Sequence, residues 1–365
     1  MIVVRGTIGA IHMGYRLIYL ALVVCDEDDL LMTDNERRFK SAIDYWTPER
    51  IANAKSALLP LFQNNSDLSQ SNQLTSDEPP SFVKSVLPIQ SPDQLLKDTI
   101  VAPNTVGKLY IQLSGNNYVC TASVLVSGTK DLLVTRGQCV YDHERGGWAR
   151  NVIFIPGYRS GSAPFGRWSA RSLITFNMWI EKADRNANIG LILLSTLSNR
   201  HIQDVVGGQG YLIDAQLQAP VYLFGYSSDI NSGETLRYCS GTSQKSTHYP
   251  GFKGITLPCS IDNAGFGGPV IQRYDISTTL GYQTSVYISR STGYVHAAVF
   301  DSNFKKMYDM YNNQLYAGSN EIFYDHRASS GSILQVSAAQ VMFLIVFVCY
   351  FRAIWQTLQN HSSIN

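Results

Sequence analysis

The sequence predicts an all-β domain over residues 104–318, and three observations carry that expectation. Short apolar runs recur there, among them Leu109-Tyr110-Ile111, Leu132-Leu133-Val134, Val152-Ile153-Phe154-Ile155 and Val221-Tyr222-Leu223-Phe224, each bounded by Gly, Asn, Ser or Pro clusters. Charged residues make up only 16% of the 365-residue chain, well under the ~25% of ordinary soluble domains, while Gly (28) and Tyr (21) are plentiful. Four of the six cysteines fall in this region as two pairs, Cys120 with Cys139 and Cys239 with Cys259, the members of each about twenty residues apart. One or two closed barrels and a sandwich all satisfy this pattern, and periodicity does not choose among them.

In chain order, Arg16 precedes the apolar run Leu17–Cys25, and Asp26-Glu27-Asp28-Asp29 follows at once. Residues 1–25 are therefore read as a signal peptide, because the apolar core is too short for a span and a globular helix rarely runs into four acids. A pro-like helical segment, residues 26–62, comes next. It carries Phe39, Ile43, Trp46, Ile51, Ala54 and Leu58 at helical spacing, with Thr47-Pro48 as a capped start. Residues 63–103, rich in Asn, Ser and Gln and ending in Pro79-Pro80 and beyond, read as a polar linker; Asn64 begins a glycosylation sequon.

After a second linker, 319–332, the stretch Ile333–Phe351 holds no charge and is followed by Arg352 and a polar tail, 352–365. At about 1.5 Å per residue it reaches roughly the ~30 Å of a bilayer core, so 333–351 is a candidate transmembrane helix. A GPI-attachment signal and a buried helix are the rivals. The polar tail opposes the first, whereas Gln335, Ser337 and Gln340 weaken the span itself.

A net charge of +1 and the lack of a basic cluster argue against nucleic-acid binding. Cys120 with Cys139, and Cys239 with Cys259, are expected as disulfides of a secreted β domain. Zinc ligation, the alternative, lacks a closely spaced cysteine pair and has His248 alone nearby. No metal site and no cofactor are predicted.

Three words now stand in a telling order: Thr135-Arg136-Gly137-Gln138-Cys139, Asn188-Ile189-Gly190-Leu191 and Gly265-Phe266-Gly267-Gly268-Pro269. Together they resemble the T-A-G-H-C, D-[IV]-[GA]-[LF] and G-x-S-G-G-P segments of trypsin-like serine proteases. The bacterial and fungal secreted branch is the nearest in wording, through Gly146-Gly147-Trp148, Phe154–Arg159 and Trp168-Ser169-Ala170-Arg171; Tyr45-Trp46-Thr47-Pro48-Glu49-Arg50 resembles a phrase of its pro-regions. The resemblance implies a double six-stranded β-barrel and, by itself, an active secreted serine-type endopeptidase.

The departures oppose that activity. Gln138 stands where the family has its general-base His, Asn188 where it has the orienting Asp, and Phe266 where it has the nucleophilic Ser. A phenyl ring offers no lone pair, an amide no useful basicity near neutral pH, and a second amide no negative charge for an imidazolium. Loss of a full triad costs roughly a millionfold in kcat. The oxyanion region, Ala264, Gly265 and Phe266, is degenerate too, with Ala264 where the family has Gly. No substitute nucleophile and base are expected from His143, His201, His248 and His296, from Asp142, Asp184, Asp204 and Asp262, or from Ser260.

The function predicted is a catalytically inactive protease homologue, secreted or tethered to the membrane through its C-terminal segment, that binds a peptide or protein. An alternative is that Phe266, Gln138 and Asn188 are structural replacements that fill the old pocket as ordinary core.

Overall fold

The computed structural model describes residues 42–56, 81–89, 102–226, 233–259, 265–313 and 320–323, all within the unit 37–326. Two short strands come first, β1 (Lys55–Ser56) and β2 (Phe82–Val83). Six more follow: β3 (Val106–Leu113), β4 (Asn116–Val124), β5 (Leu132–Thr135), β6 (Arg150–Pro156), β7 (Trp168–Phe176) and β8 (Gly190–Leu194).

These six close on themselves. The hydrogen-bonded path runs β4-β3-β6-β7-β8-β5, and β5 pairs back onto β4 through Ser123 with Val134. Closure through Ser123 and Val124 leaves the first half of β4 free for another strand to pair with. Ser114 and Gly115, with φ of 48° and 81°, make the two-residue turn that lets β3 fold onto β4 in register from Leu113 and Asn116. Alternate residues such as Leu109, Ile111, Ala122, Phe154 and Ile192 fill the interior.

The second half contains β9 (Gly210–Leu212), β10 (Pro220–Tyr226), β11 (Leu236–Thr242), β12 (Gln244–Lys245), β13 (Ile255–Pro258), β14 (Pro269–Asp275), β15 (Leu280–Ser291) and β16 (Tyr294–Val299). Its path is β11-β10-β14-β15-β16-β13-β12. The ends, β11 and β12, do not pair with each other; Ser243 alone joins them, buried, its hydroxyl donating to the Leu217 carbonyl at 2.8 Å. The expected double barrel is therefore one closed six-stranded barrel and one half-barrel whose gap is bridged by chain continuity.

The two short-loop disulfides are present, Cys120 to Cys139 and Cys239 to Cys259, with Cα atoms 6.4 and 6.2 Å apart.

Several segments depart from the sequence reading, among them the short helices Asn177–Lys182 and Ile202–Val206 in the stretch taken as β throughout. Residues 302–311, within the stretch taken as β throughout, form the helix Ser302–Tyr311: Asp301 caps it by accepting from the Asn303 and Phe304 amides, and Phe304, Met307, Tyr308 and Tyr311 make its buried face. Within the polar linker, β2 pairs antiparallel with β9, and in the second linker β17 (Glu321–Phe323) pairs with β7. Main-chain hydrogen bonds recruit these edges, and such bonds leave no trace in hydrophobic periodicity. The signal peptide, the sequon at Asn64, Ala264 and the 333–351 span lie outside the described residues. Among the described residues no helix is long and apolar enough to cross a membrane.

Candidate functional site

Residues 138, 188 and 266 are brought together from three separate elements. Gln138 sits in the 3-10 turn Gly137–Cys139 at the end of β5, tied to β4 by the Cys120–Cys139 disulfide. Asn188 ends a second such turn, Arg185–Ala187, whose first amides are gathered by Asp184 accepting from the Asn186 amide at 2.9 Å. The two meet directly, since the Gln138 main-chain N–H donates to Asn188 Oδ1 at 3.0 Å. A main-chain N–H needs an acceptor, so the oxygen end of that amide faces it.

Phe266 arrives from the second half. Its carbonyl accepts from the Thr121 amide of β4 at 2.8 Å and lies 4.0 Å from Cys139 Sγ, which links it to the turn bearing Gln138. Thr121 joins the halves again, because its hydroxyl accepts from the Tyr226 amide at 2.9 Å while its carbonyl accepts from the Thr135 hydroxyl at 2.7 Å. The chain beside Phe266 must be glycine. A Cβ on Gly265 would lie 2.1 Å from Thr121 Oγ1 and 2.2 Å from the Tyr226 nitrogen, and Gly267 has φ of 89°.

Phe266 is 4% exposed and its ring stacks on Tyr287 with centroids 5.0 Å apart. On the ring sits the Arg136 guanidinium, 4.1 Å from the centroid, with Nη1 donating to the Ile288 carbonyl at 3.1 Å. Burial pushes the Arg136 guanidinium below its ordinary value, yet it remains a cation at neutral pH. Gln138 and Asn188 are buried as well. The arrangement offers a cation and a phenyl ring where the resemblance would place a nucleophile, and the phenyl ring has no lone pair with which to attack.

Sequence reasoning missed Arg136 and Tyr287. Arg136 had a signal, for it stands at the Ala position of T-A-G-H-C; Tyr287 had none, since strand pairing alone delivers it.

The histidines are placed as follows. His143 Nδ1 lies 2.7 Å from the Ile180 carbonyl, and His201 Nδ1 lies 2.6 Å from Asp131, whose carboxylate also accepts from the Ile202 amide. His248 packs edge-on to His296 at 4.8 Å. One expectation needs correction: Ser291 Oγ lies 2.9 Å from His296 Nε2, so a serine does face a histidine. The β15–β16 pairing, which sets Ser289 opposite His296, creates this contact between residues five apart in sequence. It is not an activated pair. Burial, aided by His248 and Arg185, pushes His296 down to about 4, and its buried Nδ1 has no hydrogen-bond acceptor to orient the ring. Asp142 accepts from Ser114 and the Glu144 and Arg145 amides, and Asp204 pairs with Lys130, so both act as loop and surface anchors. Asp262 and Ser260 lie outside the described residues.

Among the described residues no three His, Cys, Asp or Glu side chains gather in a group able to hold a metal. No family model matches the chain. The protease Anisep of Arthrobacter nicotinovorans shares 27% identity at a TM-score of 0.55, over 58% of this chain and 97% of its own. A thermostable serine protease, AL20, from an extremophilic microorganism shares 23% identity at a TM-score of 0.54, over 58% of this chain and 98% of its own. A curated Bacillus subtilis relative named extracellular metalloprotease is 32% identical over 98 residues, a match that spans 27% of this chain and 29% of the relative. The chain has the trypsin-like, chymotrypsin-type fold of serine proteases. The two solved structures each match over 58% of the chain.

Proposed function

We propose that this chain is a catalytically inert protease homologue that acts as a secreted or membrane-tethered module binding a peptide or protein. One observation carries the reading. The positions where the resemblance would put a base, its orienting acid and a nucleophile hold Gln138, Asn188 and Phe266, with the Gln138 amide donating to Asn188 at 3.0 Å and the Phe266 carbonyl 4.0 Å from the sulfur of Cys139, the residue after Gln138. Phe266, stacked on Tyr287 and beneath Arg136, supplies no atom that could attack a carbonyl. A partner then meets the outer surface of the barrels rather than the interior that Phe266 fills.

Two disulfides support an oxidising, extracellular setting, in keeping with the relative named for an extracellular enzyme. The signal peptide, glycosylation at Asn64 and the span 333–351 belong to this proposal. Treatment of the purified chain with a fluorophosphonate probe tests it, alongside a peptide-hydrolysis assay. No labelling and no turnover are expected; stoichiometric labelling of a serine with matching loss of turnover would establish an active endopeptidase and overturn the proposal.

A further inference from the structure

Residues 42–56 carry the word that resembles a pro-region, Tyr45-Trp46-Thr47-Pro48-Glu49-Arg50, yet Ala42 and Trp46 of this segment pack as core. Trp46 is 2% exposed and shares one cluster with Tyr110, Val119, Ile153 and Phe224. Its ring lies 5.1 Å from that of Tyr110, and its indole N–H donates to the Asn151 carbonyl at 2.5 Å.

The acceptor is built for the purpose. Asn151 occupies a β-bulge in β6, where the pairing with β3 jumps between Tyr110 and Gln112, and its φ of 49° is one that Asn tolerates. A bulge leaves one residue out of the ladder and re-aims its groups, here towards the docked indole. The Asn151 side chain adds to the same seat: its amide donates to Gln112 Oε1 at 2.9 Å, and Gln112 donates to the Tyr45 hydroxyl at 2.8 Å. That hydroxyl donates onward to Asn117 at 2.7 Å.

The segment is also stiffened from within. Arg50 lies 4.2 Å over the Tyr45 ring and donates to the Tyr45 carbonyl at 2.7 Å, and Thr47 caps the turn Pro48–Ala52. Beyond it β1 adds in parallel to the edge of β4, Lys55 beside Tyr118 and Ser56 beside Val119.

We infer that β3, β4 and the bulge of β6 form a receptor for this segment, and that the segment stays bound as a structural subunit after any cut within residues 57–80. The claim is independent of whether the barrels catalyse anything. Removing the segment would open Tyr110, Val119 and Ile153 to water and leave the Asn151 carbonyl without its donor.

The test uses the full chain with a recognition sequence for a site-specific protease inserted between Ser69 and Gln70. After cutting, the N-terminal fragment is expected to co-elute with the barrels in native gel filtration and to separate only in denaturant. Tyr45→Phe, which removes the shared hydroxyl and little volume, should weaken retention about tenfold. Trp46→Ala should abolish retention and lower Tm by roughly 5–10 °C. Release of the unsubstituted fragment under native conditions with an unchanged Tm overturns the inference. So does full retention in the cut Trp46→Ala chain, since another contact would then hold the fragment.

Discussion

Among the described residues two cations are buried, Lys108 beside a carboxylate and Arg136 on a phenyl ring. Lys108, 1% exposed on β3, faces Glu234 at 3.3 Å and lies 4.5 Å over the Tyr158 ring, while Tyr158 donates its hydroxyl to the same carboxylate at 2.7 Å. Arg136, 2% exposed, is held by the face of Phe266 and the Ile288 carbonyl. The first arrangement pairs charge with charge, so each partner is costly to lose alone. The second spreads a diffuse charge over a ring, which suits a planar, weakly hydrated guanidinium. The contrast separates a charge set beside a counter-charge from one laid on the face of a ring.

The largest effect is expected at the ring. Phe266→Ala removes a buried aromatic side chain from between Tyr287 and Arg136 and should cost about 4 kcal/mol, a fall in Tm of roughly 8–16 °C. A loss below about 1 kcal/mol in chemical denaturation would mean the ring is not the centre of the sandwich.

At the other cation, Glu234→Gln should cost about 3 kcal/mol, because an ammonium buried on β3 would keep its charge and lose its counter-charge. Lys108→Met, which removes the charge and keeps the bulk, should cost under about 1 kcal/mol. Burial holds Lys108 below its ordinary value against the pull of Glu234, so folding already works against that charge. Equal losses in the two variants would show that the stem of Lys108, and not its ion pair, matters.

His296 adds a pH signature to the second half. Its folded value of about 4 lies below the unfolded 6.5, so between those limits the unfolded chain takes up a proton that the folded chain refuses. Stability therefore falls as pH drops from 6.5 towards 4, by up to about 3 kcal/mol from this group. Thermal melts at pH 7 and pH 4.5 measure it; His296→Gln should flatten the difference. An unchanged slope in that variant would assign the acid loss to other groups.

How much of this was legible depends on the range of the interaction. The apolar runs became strands because a half-buried strand needs only its own residues to announce itself, and the three ordered words placed Gln138, Asn188 and Phe266 in one neighbourhood. The helix at Ser302–Tyr311 was equally legible in the spacing of Phe304, Met307, Tyr308 and Tyr311, but the surrounding β texture masked it. Arg136 could have been suspected from its place in the first word. Tyr287, the Ser291–His296 contact and the seat of Trp46 could not, since strand register and a bulge in β6 decide them, and neither is written in local composition.

The smallest effect belongs to Arg136 itself, and it is the sharpest test of the comparison. Arg136→Met exchanges a desolvated cation stacked on Phe266 for a pliable thioether of similar length. The stacking lost, about 2 kcal/mol for a desolvated pair, is offset by the relief of burying a charge, so the net change should stay within about 1 kcal/mol. Below pH 8 the pH profile of stability should not move, because Arg136 is protonated in both folded and unfolded chains there and binds no extra proton on unfolding. A loss above about 3 kcal/mol, as expected for breaking a buried ion pair, would show that Arg136 is held as Lys108 is, by charge, and the distinction between the two regions would fail.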